Sequence, residues 1–361
     1  MKTNVYVLYG GKSVEHEVSL KSASAILNAL NRDKFNVYPV YIAKEGIWCC
    51  LGLLEEEIKD VKQLQVKPSN TVAKSIGEFL AKDFKEDEKN IIFPAIHGIN
   101  GEDGTIQGLL ELIDVPYVGN EVLSSAAGMD KVIMRDIFAR HGIPQTEYTS
   151  LRLHKWKEDE EKSYEQVEEK IGYPCYVKPA NSGSSVGISR VENREELKES
   201  FQEAFIYDYK IIIEKEVVGR EMQTSVVGND YPKASVSGEF IMERPFFDYN
   251  AKYLDGTIIP VVPARLEPAV ADKVRELAVE SFKALHCYGL ARVDIFVTDD
   301  NQVLVNEVNT MPGFTAFSMT PVLWKATNGT TYAELIEWLI ELAFERYQQK
   351  KSILCTRSVE E

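Results

Sequence analysis

The sequence predicts an α/β fold at its start that gives way to α+β further on. Over residues 1–120, apolar runs rich in β-branched and aromatic residues alternate with helical periodicities. That alternation argues an open, mostly parallel sheet. Residues 91–98, "IIFPAIHG", are an apolar run closed by glycine, as a strand buried on both faces would be. Beyond about residue 145, short strands alternate with single helices, which suggests α+β.

In chain order, "NVYVLY" (4–9) reads as a strand and "GGKS" as the turn after it. "EHEVSLKSASAILNAL" follows as a helix, with Val18, Ala25, Leu27 and Leu30 among its apolar positions. "FNVYPVYIA" is a second strand. Residues 44–90 are more polar, and their run "KDFKEDEK" reads as a solvated helix end or loop. "NGEDGTIQGLLELIDVPYVG" continues as loop, helix and short strand. A helix is expected from about Asp130 to Arg140, stopped by Gly142 and Pro144. Residues 155–170 read as one charged amphipathic helix. "YPCYVKPA" and "ISRVEN" read as strands on either side of "NSGSSVG", with a helix over 194–205. "KIIIEKEV" and "EMQTSVVG" are expected to pair as neighbours. A polar loop (243–258), a helix (267–287), and strands "LARVDIFV" and "VLVNEVN" come next. A Gly/Pro loop and a helix from Tyr332 to about Gln349 complete the fold, with a loose tail after it.

A formal charge of −15 and the lack of a long basic run argue against a nucleic-acid surface and against an anionic-membrane anchor. The cysteines are Cys49, Cys50, Cys175, Cys287 and Cys355, an odd number with no C-x-x-C. Reduced thiols in a cytosol fit that pattern best. The opening apolar run is too short for a signal peptide, and no stretch reaches the length of a membrane span.

The sharpest chemical signal lies in two strands. Arg292 and Asp294 are two apart, as are Glu307 and Asn309, so each pair shares a sheet face. Were the strands adjacent, one face would present Asp, Glu, Asn and Arg together. Oxygen donors without His or Cys suit Mg²⁺. The plain alternative is a solvated polar face. The loop "KPANSGSSVG" (178–187) is the second signal. It is either an ordinary hairpin loop or a turn whose N–H groups hold phosphate, with Lys178 reaching the same charge. Glu214 and Glu221 could take an adenine amino group and ribose hydroxyls, though surface glutamates are common. At "GGKSVEHEVS", a helix N-terminus suits an anion, whereas Glu15 would attract an ammonium. His97 could donate to a developing oxyanion, or be structural.

Taken together, these residues resemble the ATP-grasp superfamily, and within it the D-alanine–D-alanine ligases. The segments "HGINGEDGTIQGLLEL", "PYVGN", "MDK", "VKPANSGSSVGIS", "YNAKYLDG" and "NEVNTMPGFTAFSM" carry the likeness, in the family's order. The resemblance implies an ATP-grasp fold with a Rossmann-like N-terminal domain (1–123), a central subdomain (124–218) and a C-terminal subdomain (219–361). It implies ATP-driven joining of two D-alanines through an acyl phosphate, in the cytoplasm, by a homodimer. Two Mg²⁺ ions are expected on Asp294, Glu307 and Asn309, with Mn²⁺ able to substitute and a monovalent cation allowed. Lys131 and Lys178 would meet the α- and β-phosphates, Lys252 the transferring phosphoryl group, and Ser185 of the Gly/Ser loop the nucleotide. Adenine and ribose would meet Glu214 and Glu221. Glu15 would bind the first substrate's ammonium, with His97 near its carboxylate. Arg292 and the Gly313 N–H would stabilise the oxyanion, and Ser318 and the Met319 N–H would hold the second carboxylate. Glu15, Ser184 and Tyr253 would form a hydrogen-bonded triad, Tyr253 standing on a lid loop. Tyr at that place resembles the dipeptide-forming type, since relatives that make D-alanyl-D-lactate carry Phe or His. A sister ligase taking D-lactate or D-serine is the alternative. A nicotinamide dehydrogenase is disfavoured, because the first loop lacks G-x-G-x-x-G.

Overall fold

The computed structural model describes residues 2–85, 88–184, 186–241 and 259–354. Three sheets organise them.

In the first, β1 (Thr3–Gly10) lies between β2 (Phe35–Ile42) and β4 (Asn90–Pro94), parallel to both. The short β3 (Trp48–Cys50) adds an antiparallel edge. Every residue of β1 is buried, as continuous apolar strands in a parallel sheet require. Helix α1 (His16–Ala29) packs its Leu20, Ala23, Ile26 and Leu27 on one face. The expected open parallel sheet is therefore present, with one short strand reversed.

Helices α2 (Val72–Glu78), α3 (Thr105–Leu112), α4 (Val122–Met129) and α5 (Lys131–His141) follow. Asp130 caps α5 by accepting from the Val132 and Ile133 N–H groups, and Gly142 ends it in the left-handed conformation. The second sheet runs β5 (Tyr148–Arg152), β8 (Lys210–Lys215), β6 (Cys175–Pro179), β7 (Ser189–Val191). Helices α6 (Leu153–Glu158), α7 (Glu160–Lys170) and α8 (Arg194–Tyr207) accompany it. The single helix expected over 155–170 is two. Asp159 leaves the helical conformation and caps α7 by accepting from the Lys162 N–H.

The third sheet is antiparallel, in the order β11 (Ile259–Val261), β10 (Lys233–Ile241), β9 (Gly219–Gly228), β12 (Gly289–Thr298), β13 (Val303–Asn309). The expected pairing of "KIIIEKEV" with "EMQTSVVG" is thus corrected. Strand β8 pairs with β5 and β6, whereas β9 pairs with β10 and β12. The chain crosses between sheets at residues 216–218. Helix α9 (Pro268–Ala284) covers one face of this sheet, with α10 (Met319–Asn328) against β9 and β10. Helix α11 (Tyr332–Lys351) returns to the first sheet's core through Leu335, Ile336, Leu339 and Ile340. Among the described residues, no helix is long and apolar enough to cross a membrane.

Candidate active site

A cleft of about 440 Å³ collects residues from all three sheets and their loops. Glu15, His97, Lys131, Ser184, Arg292, Glu307, Asn309, Gly313, Ser318 and Met319 line it, all singled out from sequence. Lys178, Glu214, Glu221 and Asp294 stand outside that lining. Ser185, Lys252 and Tyr253 lie outside the described residues, as does the loop expected to act as a lid.

Glu15 sits at the mouth of α1 and is buried. The Ser184 hydroxyl, from the β6–β7 loop, donates to its carboxylate. Two glycines make room for that carboxylate. A Cβ on Gly183 would lie 2.9 Å from Glu15 Oε2, and one on Gly98 would lie 2.6 Å from it. Gly98 also has φ +74°, which glycine adopts freely. Ser184 itself has φ 52°, a conformation that a non-glycine residue holds only where surrounding contacts impose it.

Strands β12 and β13 pair so that Asp294 faces Glu307 and Arg292 faces Asn309. The expected shared face is therefore real. Arg292 grips Asp294 through two hydrogen bonds of 2.7 Å, and Asn309 Nδ2 donates to Asp294 Oδ2 at 3.1 Å. Two carboxylates and an amide, with no His or Cys, are a donor set that fits a hard divalent cation. Among the described residues, no group of three or more His, Cys, Asp or Glu side chains is arranged to hold a metal ion by itself.

Lys131 opens α5 and reaches the Gly/Ser loop, donating to the Ser182 carbonyl at 2.8 Å while standing 3.7 Å from Glu307. Lys178 pairs with Glu214 at 2.6 Å. Arg135, which the sequence did not single out, is the other partner of Glu214: its Nε donates at 2.8 Å and its Nη2 makes a second, closer bond. Arg135 also donates to the Val305 carbonyl at 2.6 Å, tying β8 to β13. Burial raises the Glu214 pKa, but Arg135 and Lys178 outweigh it and hold it down at about 2. Glu221 accepts from Asn306 at 3.3 Å.

The turn after β13 carries Gly313 and leads into α10, whose N-cap is Ser318. The Ser318 hydroxyl accepts from the Thr315 N–H at 2.9 Å. Met319 is the first residue of α10, where backbone N–H groups have no partner within the helix. His97 Nδ1 meets the Met311 carbonyl at 3.0 Å, and its Nε2 meets Ser22 Oγ at 2.9 Å. A carbonyl only accepts, so Nδ1 carries the proton and Nε2 accepts from Ser22. Burial lowers the His97 pKa, which agrees with a neutral ring. Glu102, also missed, lines the cleft and accepts from the Gly98 and Met311 N–H groups at 2.7 and 3.2 Å. Burial, with Glu15 nearby, pushes its carboxyl up to about 8.

The family model described as D-ala D-ala ligase N-terminus matches residues 4–120, and that described as D-ala D-ala ligase C-terminus matches residues 137–341. The chain belongs to the D-alanine–D-alanine ligase family. It is 49% identical to the D-alanine–D-alanine ligase of Geobacillus thermodenitrificans, over 99% of each chain. To that of Listeria monocytogenes it is 45% identical, over 98% of each. Among solved structures, the D-alanine–D-alanine ligase of Coxiella burnetii superposes with a TM-score of 0.80 at 32% identity, covering 97% of this chain and 96% of that one. The VanG D-Ala:D-Ser ligase of Enterococcus faecalis gives 0.79 at 31%, covering 95% and 100%. The architecture is thus that of this ligase family, and family membership makes the chain an ADP-forming, ATP-using ligase.

Proposed function

We propose that this chain joins two D-alanines into D-alanyl-D-alanine for peptidoglycan precursors, releasing ADP and phosphate. One observation carries the reading: a buried carboxylate, Glu15, and a guanidinium, Arg292, line one cleft together with the oxygen-donor strands. That arrangement suits an amino acid beside a nucleotide.

Glu15 takes the ammonium of the first D-alanine, with His97 near its carboxylate. A carboxylate oxygen attacks the γ-phosphorus, the bond to the β-phosphate oxygen breaks, and ADP and an acyl phosphate result. The amine of the second D-alanine then attacks the acyl carbon. Arg292 and the Gly313 N–H stabilise the oxyanion until phosphate leaves. Ser318 and the Met319 N–H hold the second carboxylate. Lys131 and Lys178 attend the α- and β-phosphates, Ser185 the nucleotide from the Gly/Ser loop, and Lys252 the transferring group. Glu214, committed to Lys178 and Arg135, anchors Lys178 beneath the nucleotide as well as lying toward adenine; Glu221 takes the ribose. Asp294, Glu307 and Asn309 hold Mg²⁺, which supplies neutralising charge to the phosphates. Phosphoryl transfer of this kind depends on positioning and charge. Tyr253 completes a triad with Ser184 and Glu15. The units 1–123, 124–218 and 219–361 act as domains of a cytoplasmic homodimer, joined through the first.

The likeness to a D-Ala:D-Ser ligase supports a second reading, a different second substrate. Product analysis with D-alanine alone, and in competition with D-lactate or D-serine, separates the two. D-alanyl-D-alanine as the dominant product is expected. Exclusive formation of the lactate or serine product contradicts the first reading.

A further inference from the structure

The turn Met311–Phe314 belongs to the third sheet's side of the cleft, yet three residues from the first sheet's side hold its backbone. Glu102 accepts the Met311 N–H at 3.2 Å. His97 donates to the Met311 carbonyl at 3.0 Å. Ser22 accepts the Phe314 N–H at 3.2 Å and passes its own proton to His97 Nε2 at 2.9 Å. Both polar groups of Met311 and the N–H of Phe314 are thus fixed, on either side of Gly313. The bonds run in one direction, from Phe314 through Ser22 and His97 to Met311, so each donor has one acceptor. Ser22 and His97 are buried and Glu102 is half-buried, and hydrogen bonds held away from water in this way are costly to lose.

We propose that Ser22 and Glu102 are positioning residues for the ligation. With His97 they form a bracket that sets where the Gly313 N–H points across the cleft. The bracket couples the side that holds Glu15 to the side that stabilises the oxyanion. Glu102 also accepts the Gly98 N–H at 2.7 Å, and Gly98 is one of the two glycines that give Glu15 its room. One carboxylate therefore ties the seat of the first substrate's ammonium to the turn that meets the tetrahedral oxygen. This rests on Gly313 being the oxyanion donor.

The chemistry dictates the variants. Glu102→Gln keeps the size but loses an acceptor, because an amide nitrogen offers no lone pair to the second N–H. Ser22→Ala removes the link between Phe314 and His97 at a small buried position, and serves where Glu102→Gln does not fold. The full-length enzyme is assayed for dipeptide formation, with kcat and the KM for ATP measured separately. A misaligned turn costs turnover without costing nucleotide affinity. Each variant is expected to lower kcat by about 10- to 100-fold with the ATP KM within about twofold. A general loss of structure would move both together, and that result overturns the proposal, as does a wild-type kcat in Ser22→Ala. Gly313→Pro, which deletes the N–H itself, is run alongside. Full activity in Gly313→Pro with lowered kcat in Ser22→Ala removes Gly313 as the donor and leaves the bracket acting on the turn. Lost activity in Gly313→Pro with wild-type kcat in both bracket variants leaves Gly313 in place and removes the bracket.

Discussion

Glu214 is a buried carboxyl and Glu102 a half-buried one, and their surroundings move them in opposite directions. Arg135 and Lys178 overcome the burial of Glu214 and hold it at about 2, whereas burial pushes Glu102 up to about 8. The consequences for stability have opposite signs. Glu214 contributes stability above its unfolded pKa that is lost as pH falls through about 2. The contribution linked to protonated Glu102 is complete below its ordinary value of 4.5 and is lost as pH rises through about 8. Urea unfolding of the ligand-free protein should therefore show stability falling between roughly pH 5 and 8 more steeply than in Glu102→Gln. The difference in slope is bounded at about 1.4 kcal/mol per pH unit. Parallel curves would remove Glu102 as the group responsible. Arg135→Met tests the other carboxylate. It leaves Glu214 buried with Lys178 alone, and a loss of about 3–5 kcal/mol is expected. A loss below about 1 kcal/mol would mean Lys178 and water suffice. Neither Arg135 nor Glu102 was legible as a site residue. Arg135 occupies an ordinary charged position in a helix, and only the fold shows that its face is covered. Glu102 sits in "NGEDG", where a loop carboxylate reads as solvated.

The β12–β13 pair was the most legible element. Spacing of two placed Arg292 with Asp294 and Glu307 with Asn309, and only the register was needed to bring them together. The Gly/Ser loop was half legible: two strands flank it as expected, but the sequence does not show that Gly183 is there for Glu15. Gly183→Ala tests that contact. Its Cβ would stand 2.9 Å from Glu15 Oε2, while Ser184 holds the other oxygen, Oε1, of the same carboxylate. The KM for the first D-alanine should rise about tenfold, near the 1.4 kcal/mol that one displaced charge contact represents, with the ATP KM unchanged. An unchanged D-alanine KM would show that Glu15 moves aside freely. Helix α10 lies where the sequence predicts a Gly/Pro loop, and Pro321 is in its first turn. Proline is tolerated there, where the N–H has no helical partner, yet it reads as a breaker. The misplaced pairing of β8 with β9 has a similar origin. Adjacent apolar strands normally pair, and nothing local in "VVG" announces a change of sheet.

At the scale of the molecule, elements close in sequence serve different cores. Helix α5 puts Met134 and Phe138 into the core under the third sheet, and α11 packs on the first. Apolar periodicity says that such a helix is covered, and not by which sheet. The crossing contacts follow from this: Arg135 joins β8 to β13, Lys131 joins α5 to the Gly/Ser loop, and the Ser22–His97–Glu102 bracket joins the first sheet to the turn after β13. The site exists only where those three sheets meet, which is why its motifs are scattered from Glu15 to Met319. On the proposed function, this meeting place binds D-alanine beside ATP and couples the two. The most direct measurement is phosphate release from ATP in the presence of D-alanine or L-alanine at equal concentration. Release that depends on D-alanine, with L-alanine at the background of ATP alone, is the expected result. Equal release with either enantiomer, or none with D-alanine, would contradict the account.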